Sequence, residues 1–148
     1  VLRIVTEPPP TTDGLGPLGE QPVLVLQDGA GNVVAQPQVP PATSLAVRAV
    51  FLPRPPQTQQ EFVASFADGQ FAFRSVALKP QRGVRYQLVF RLTPVEGWTV
   101  SNATSRPVSA DPCQATEFYV VGETSCRRCV HGAACNSSDL LVTQDNYW

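Results

Sequence analysis

The 148-residue chain predicts an all-β fold on three observations. Apolar and polar residues alternate with period two in several runs, turn-forming residues separate those runs roughly every ten to fifteen positions, and no window sustains the period of an amphipathic helix. Alternation matters because successive side chains of a strand point to opposite faces, so a strand with one face on a core reads apolar-polar-apolar. Many short strands punctuated in this way pack as a sandwich or a barrel.

Val1 to Val5 and Gln21 to Gln27 are short runs rich in β-branched residues and leucine; Pro8-Pro9-Pro10 closes the first and Asp28-Gly29 the second. Leu45 to Phe51 sets Leu45, Val47, Ala49 and Phe51 on one face, between the breakers Pro40-Pro41 and Pro53 to Pro56. Glu61 to Phe66 reads as an edge strand, and Asp68-Gly69 turns the chain into Gln70 to Arg74. The strongest run is Val84 to Leu92, with Val84, Tyr86, Leu88, Phe90 and Leu92 inward and Arg85, Gln87 and Arg91 outward. Pro94 to Gly97 breaks it, and Trp98 to Asn102 is the expected next strand.

Composition divides the chain in two. All 15 prolines lie at or before Pro112, and all four cysteines lie at or after Cys113. Residues 1–111 are long enough to bury a hydrophobic core. Residues 112–148 are short and poor in aliphatics, so they need staples. Charged residues make up 16% of the chain and the formal net charge is -1, which leaves no electrostatic footprint for nucleic acid. No stretch approaches the ~20 apolar residues of a membrane span. The chain opens at Val1 without any methionine and reads as a piece of a longer polypeptide.

The cysteine spacing, Cys113, Cys126, Cys129 and Cys135, admits three chemistries. A redox pair at Cys126 and Cys129 wants a βαβ context that is missing. A zinc site from Cys126, Cys129, His131 and Cys135 compresses its last ligands and strands Cys113. Two structural disulfides use every sulfur and supply what a coreless segment lacks. Two connectivities stay open: Cys113–Cys126 with Cys129–Cys135, which is preferred, and Cys113–Cys129 with Cys126–Cys135. The triplets Asn102-Ala103-Thr104 and Asn136-Ser137-Ser138 are acceptors for N-glycans. With the disulfides they point to an extracellular glycoprotein.

Little in the sequence supports catalysis. The single histidine, His131, sits in a short loop between cysteines, and the acids fall singly, in turns. Asp28, Asn32 and Asp111 are conceivable calcium ligands but form no acidic cluster. Gly29-Ala30-Gly31 lacks the lysine and helix of a phosphate loop. Arginines on the outer face of Val84 to Leu92 suit a solvated sheet or an anionic glycan. The expectation is no enzyme, no metal and no cofactor.

Several motifs carry a family resemblance. Leu78-Lys79-Pro80-Gln81-Arg82-Gly83-Val84-Arg85-Tyr86 resembles the tyrosine corner of immunoglobulin-like sandwiches, in which the phenol bonds backbone just upstream. Gln21 to Val34, Asp68 to Leu78 and Gly83 to Phe90 together resemble an immunoglobulin-like repeat of large modular surface proteins, spanning 1–111. The stretch from Cys113 to Cys135, with Gly132 before the last cysteine and Tyr147-Trp148 afterwards, is similar to EGF-like, ephrin-receptor-like and tumour-necrosis-factor-receptor-like segments. Val130 stands where that family commonly has proline. These resemblances imply an immunoglobulin-like β-sandwich followed by a small disulfide-rich module at 112–148. They also imply a rigid spacer and assembly unit in a surface or flagellar fibre. The proline- and alanine-rich composition resembles algal or protist mastigoneme-like glycoproteins. The implied partners are neighbouring domains of the same polypeptide, other copies of the fibre protein and N-glycans. The alternative expectations are an adhesin or receptor ectodomain for a glycan or protein ligand, and an accessory module of a secreted enzyme.

Overall fold

The computed structural model describes residues 1–140 and 142–143, and among these the chain is all-β with no helix. The strands of the first 111 residues are β1 (Leu2–Thr6), β2 (Thr11–Thr12), β3 (Val23–Leu26), β4 (Ala46–Leu52), β5 (Glu61–Ala67), β6 (Gln70–Ala72), β7 (Gln87–Leu92), β8 (Ala103–Thr104) and β9 (Ser109–Ala110). Seven form one antiparallel sheet in the order β1-β3-β6-β5-β4-β7-β8.

Register explains the core. β4 sets Val47, Ala49 and Phe51 opposite Leu92, Phe90 and Leu88 of β7, while its other side sets Val47 and Ala49 opposite Ala64 and Phe62 of β5. Period two then sends all of these to the same face, where Val47, Ala49, Leu88 and Phe90 are fully buried. Ala49 stands between Phe62 and Phe90, a small residue flanked by two large ones, which lets the rings fill the layer without overlap.

β5 corrects the expected edge strand, because it lies inside the sheet order. Its two partners are unequal. β4 pairs with it from Glu61 to Ser65, whereas β6 meets it only at Phe66 and Ala67, beside the Asp68-Gly69 turn. The sheet folds over at this short seam. Phe73, just past β6, packs against Phe90 of β7 with ring centroids 5.6 Å apart. β1 and β8, the two ends of the order, touch each other, so the sheet curls almost into a barrel. Trp98 to Asn102 is likewise corrected: β8 begins at Ala103, and Trp98 and Val100 pack on the core from the preceding loop. The strand at Gln70 ends at Ala72, although Phe73 keeps the inward direction of the pattern.

The triple proline has a topological use. β1 pairs antiparallel with β3, and after Pro8 to Pro10 the chain pairs again as β2, in parallel with β9. The Ser109 N–H donates to Pro10 O at 3.0 Å and the Asp111 N–H to Thr12 O at 2.9 Å. Prolines have no N–H to lose from a ladder, so they sit where a strand leaves one partner for another.

Tyr86 is fully buried in front of β7. Its backbone exchanges bonds with Val108 at 2.9 and 2.7 Å, and its Oη accepts the Gln81 N–H at 3.1 Å, five residues upstream. Tyr86→Phe keeps the ring but orphans that amide, and it is expected to cost about 1 kcal/mol; chemical denaturation of the two proteins measures the difference, and equal midpoints would deny the bond any role.

At the far end of β3, Asp28 closes the turn at 28–32. Its Oδ1 accepts the N–H groups of Ala30 and Asn32, each at 2.9 Å. The Asn32 backbone N–H is the main cause, followed by the Asn32 side chain, of a carboxyl pKa below its ordinary value. A depressed carboxylate contributes stability at pH above its unfolded value and loses it as pH falls through the folded one. An NMR titration of Asp28 is expected to show a midpoint below the ordinary aspartate value.

Candidate functional site: the junction with the cysteine-rich segment

The turn that delivers Tyr86 into the core also reaches the cysteine-rich segment. The Arg82 N–H donates to Glu123 O at 2.6 Å, and the Gly122 N–H returns a bond to Arg82 O at 2.9 Å. This two-way exchange is one rung of a backbone ladder between parts of the chain forty residues apart. The Arg82 guanidinium reaches the other way, donating from Nη1 to the carbonyl of Asp111, just before Pro112. One residue thereby ties together the turn before β7, the end of β9 and the 120–123 turn.

Gly83 makes the contact sterically feasible. Its φ is +79°, in the left-handed region, and a Cβ built there would lie 3.0 Å from a Val121 methyl. Gly83→Val is expected to destabilise the junction by about 1–3 kcal/mol, from backbone strain and displacement of Val121. Hydrogen exchange reads the result: the Gly122 amide should lose protection while Phe90 keeps its own.

Beyond the junction the strands are two residues each: β10 (Glu117–Phe118) with β11 (Arg127–Arg128), and β12 (Ala133–Ala134) with β13 (Val142–Thr143). Such short ladders need other support. Among the described residues of this segment the buried hydrophobic side chains are Cys113 and Cys135. The sulfurs supply the interior. They pair as Cys113–Cys126 and Cys129–Cys135, with Cα separations of 5.8 and 5.9 Å. The first bond closes the loop that carries β10 onto β11, and the Cys129 N–H donates to Thr116 O at 2.9 Å across the same pair. At the turn between them, Glu123 accepts from Arg127 Nε at 2.9 Å, and this bond raises the guanidinium pKa above its ordinary value.

No family model, curated protein or solved structure matches this chain.

Of the alternative zinc ligands, Cys126 is bonded to Cys113, and Cys129 to Cys135, so no thiolate remains among them. Glu117 lies beside Cys113 and Cys126, but both of those sulfurs are in one disulfide. His131 is exposed, in the loop that Cys129–Cys135 closes. Asp28 and Asn32 share a turn, whereas Asp111 stands at the junction. Asn102 is exposed ahead of β8 and Asn136 is exposed after Cys135. The expected aromatic ending, Tyr147-Trp148, lies outside the described residues. Two disulfides mark an oxidising environment of the kind found outside the cell or in the secretory route. Among the described residues no helix is long and apolar enough to cross a membrane.

The sequence did not announce the clasp at Arg82. Its one trace is a pair of glycines, Gly83 and Gly122, each in a turn and each at positive φ.

Proposed function

We propose that this chain is a non-catalytic structural and interaction unit of a modular extracellular glycoprotein, with residues 1–111 as an immunoglobulin-like spacer and 112–148 as a disulfide-braced neck. The observation that carries the reading is the junction. Arg82 bonds Glu123, Gly122 and Asp111 together, and two disulfides brace the segment beyond, so the direction in which the chain leaves the spacer is fixed. A fixed exit angle is what a unit of a surface or flagellar fibre requires, its partners being adjoining domains and further copies. The immunoglobulin-like assignment is supported by the strand order, in which β1-β3-β6 and β5-β4-β7-β8 meet at the short β5–β6 seam. The change of partner from β1 to β2 and the Tyr86 bond to Gln81 add to it.

The test is small-angle scattering and sedimentation of the secreted chain. Spacer and neck should scatter as one rigid particle when oxidised, and copies should associate at raised concentration. A particle that bends freely at residues 111–113 while its disulfides are intact would overturn the reading.

A second reading has its own observation. Arg48 and Arg91 are direct cross-strand partners on the outer face of β4 and β7, an arrangement in which like charges repel. Glu61 pairs with Arg48 at 3.2 Å, and Arg91 has no acid partner among the described residues. An adhesin that grips an anionic glycan would use such a face. Saturable binding of a sulfated oligosaccharide that Arg91→Gln abolishes would favour this reading over the fibre.

A further inference from the structure

We infer that Asn102 is the N-glycan acceptor of this chain and Asn136 is passed over, so that a glycan stands at the rim of one face of the sheet. This rests on the extracellular reading above and deepens it. The two triplets look equivalent in sequence, but the fold treats them differently. Around Asn102 the backbone is extended into β8, with Ala103 opposite Phe90 and Thr104 opposite Val89. Ala103 packs on the core, so period two turns its neighbours outward, and Asn102 and Thr104 are both exposed. The acceptor amide and the hydroxyl that the transfer machinery must read thus lie on the same open side. A glycan there displaces nothing from the core.

Asn136-Ser137-Ser138 is a closed turn. Asn136 and Ser137 are consecutive left-handed residues, with φ of +50° and +60°, immediately after disulfide-bonded Cys135. The Ser138 hydroxyl donates to Cys135 O at 2.9 Å, and its amide donates to the same carbonyl at 3.1 Å. Ser138 O accepts the Tyr119 N–H at 3.2 Å, and Ser137 lines the depression beside Arg82 and Tyr119 at the junction. The hydroxyl needed for recognition is folded back onto the chain, and the Cys129–Cys135 disulfide anchors the residue whose carbonyl closes the turn.

The transfer itself takes an oligosaccharide carried on a polyprenyl diphosphate. The Asn102 amide nitrogen attacks the anomeric carbon; the new C–N bond forms as the glycosyl–phosphate bond breaks, the amide loses one proton, and the diphosphate lipid leaves. The consequence is geometric. Thr104 lies beside Val89 and Val50 on the outer face that also carries Arg48 and Arg91. A glycan at its rim keeps that face in solvent, and contacts between copies fall to the loop ends and to the β1-β3-β6 side.

The experiment directs the chain into the secretory lumen of a eukaryotic cell with a cleavable leader. It then scores each asparagine by enzymatic deglycosylation in heavy-oxygen water and peptide mass spectrometry. Conversion to aspartate is expected in most copies at Asn102 and in few at Asn136. Asn102→Gln and Thr104→Ala should each remove one glycan's mass, while Asn136→Gln leaves the mass of the glycoform unchanged. Opening the turn with Cys129→Ser/Cys135→Ser should raise occupancy at Asn136. An unmodified Asn102, or equal occupancy of the two sites, overturns the inference. Retention in the cell with free thiols instead counts against the extracellular reading, and occupancy is scored on that material too because transfer precedes export.

Discussion

Replacing Phe90 with alanine is expected to remove about 3–5 kcal/mol of stability. Phe90 is fully buried at the middle of β7. It stands opposite Ala49 on one side and Ala103 on the other, and its ring packs on Phe73 from the far side of the β5–β6 seam. Alanine neighbours cannot swell to fill the space it leaves, so the site collapses poorly and the cavity cost adds to the lost burial. A domain of this size holds about 5–15 kcal/mol in total, so the variant should unfold at markedly lower denaturant. Phe90→Leu keeps most of the volume and should lose less. If Phe90→Ala and Phe90→Leu were equally stable, the ring would not be the keystone that its register describes.

Removing Cys113–Cys126 with a double serine substitution is expected to cost about 3 kcal/mol, from the loop-closure entropy of a cross-link spanning 13 positions. The effect should be local. Among the described residues past Pro112 the buried hydrophobic side chains are the half-cystines Cys113 and Cys135, so the disulfides carry the interior of the described segment, whereas the large sheet contains no cysteine. Hydrogen exchange separates the two: the Cys129 amide, bonded to Thr116 O, should lose protection while Leu88 and Phe90 keep theirs. Removing Cys129–Cys135, which spans 6 positions, is expected to cost about 2 kcal/mol on the same argument. Cooperative loss of the whole fold in either variant would show that the sheet depends on the neck, contrary to the distribution of buried side chains.

The long strands were legible because burial writes a period-two pattern into them. Leu45 to Phe51 and Val84 to Leu92 are visible in the sequence for that reason, and β4 and β7 form the centre of the sheet. The misplacement at Trp98 has the same cause. A tryptophan and a valine at spacing two look like a strand, yet here they pack onto the core from a loop, and apolar spacing alone does not distinguish the two. Glu61 to Phe66 has Glu61, Val63 and Ser65 alternating with inward residues, which only says that one face is wet; position within a sheet depends on partners that no local pattern encodes. β2 and β9 were illegible for a different reason: Thr11-Thr12 and Ser109-Ala110 are two-residue pairings with no hydrophobic signal. The exchange between Arg82 and the 122–123 turn is made by backbone groups, which nearly every residue carries, so side-chain chemistry does not locate that half of the clasp.

The parallel pairing of β2 with β9 has a mechanical consequence. Tension entering through β1 pulls Thr11 one way, and tension leaving toward Pro112 pulls Ala110 the other. Because the two segments run in the same direction, their bonds at Pro10–Ser109 and Thr12–Asp111 lie across the line of force and stretch together. They are sheared as a set and cannot be unzipped one at a time, so the chain resists extension where the strand that follows β1 meets the strand that precedes Pro112.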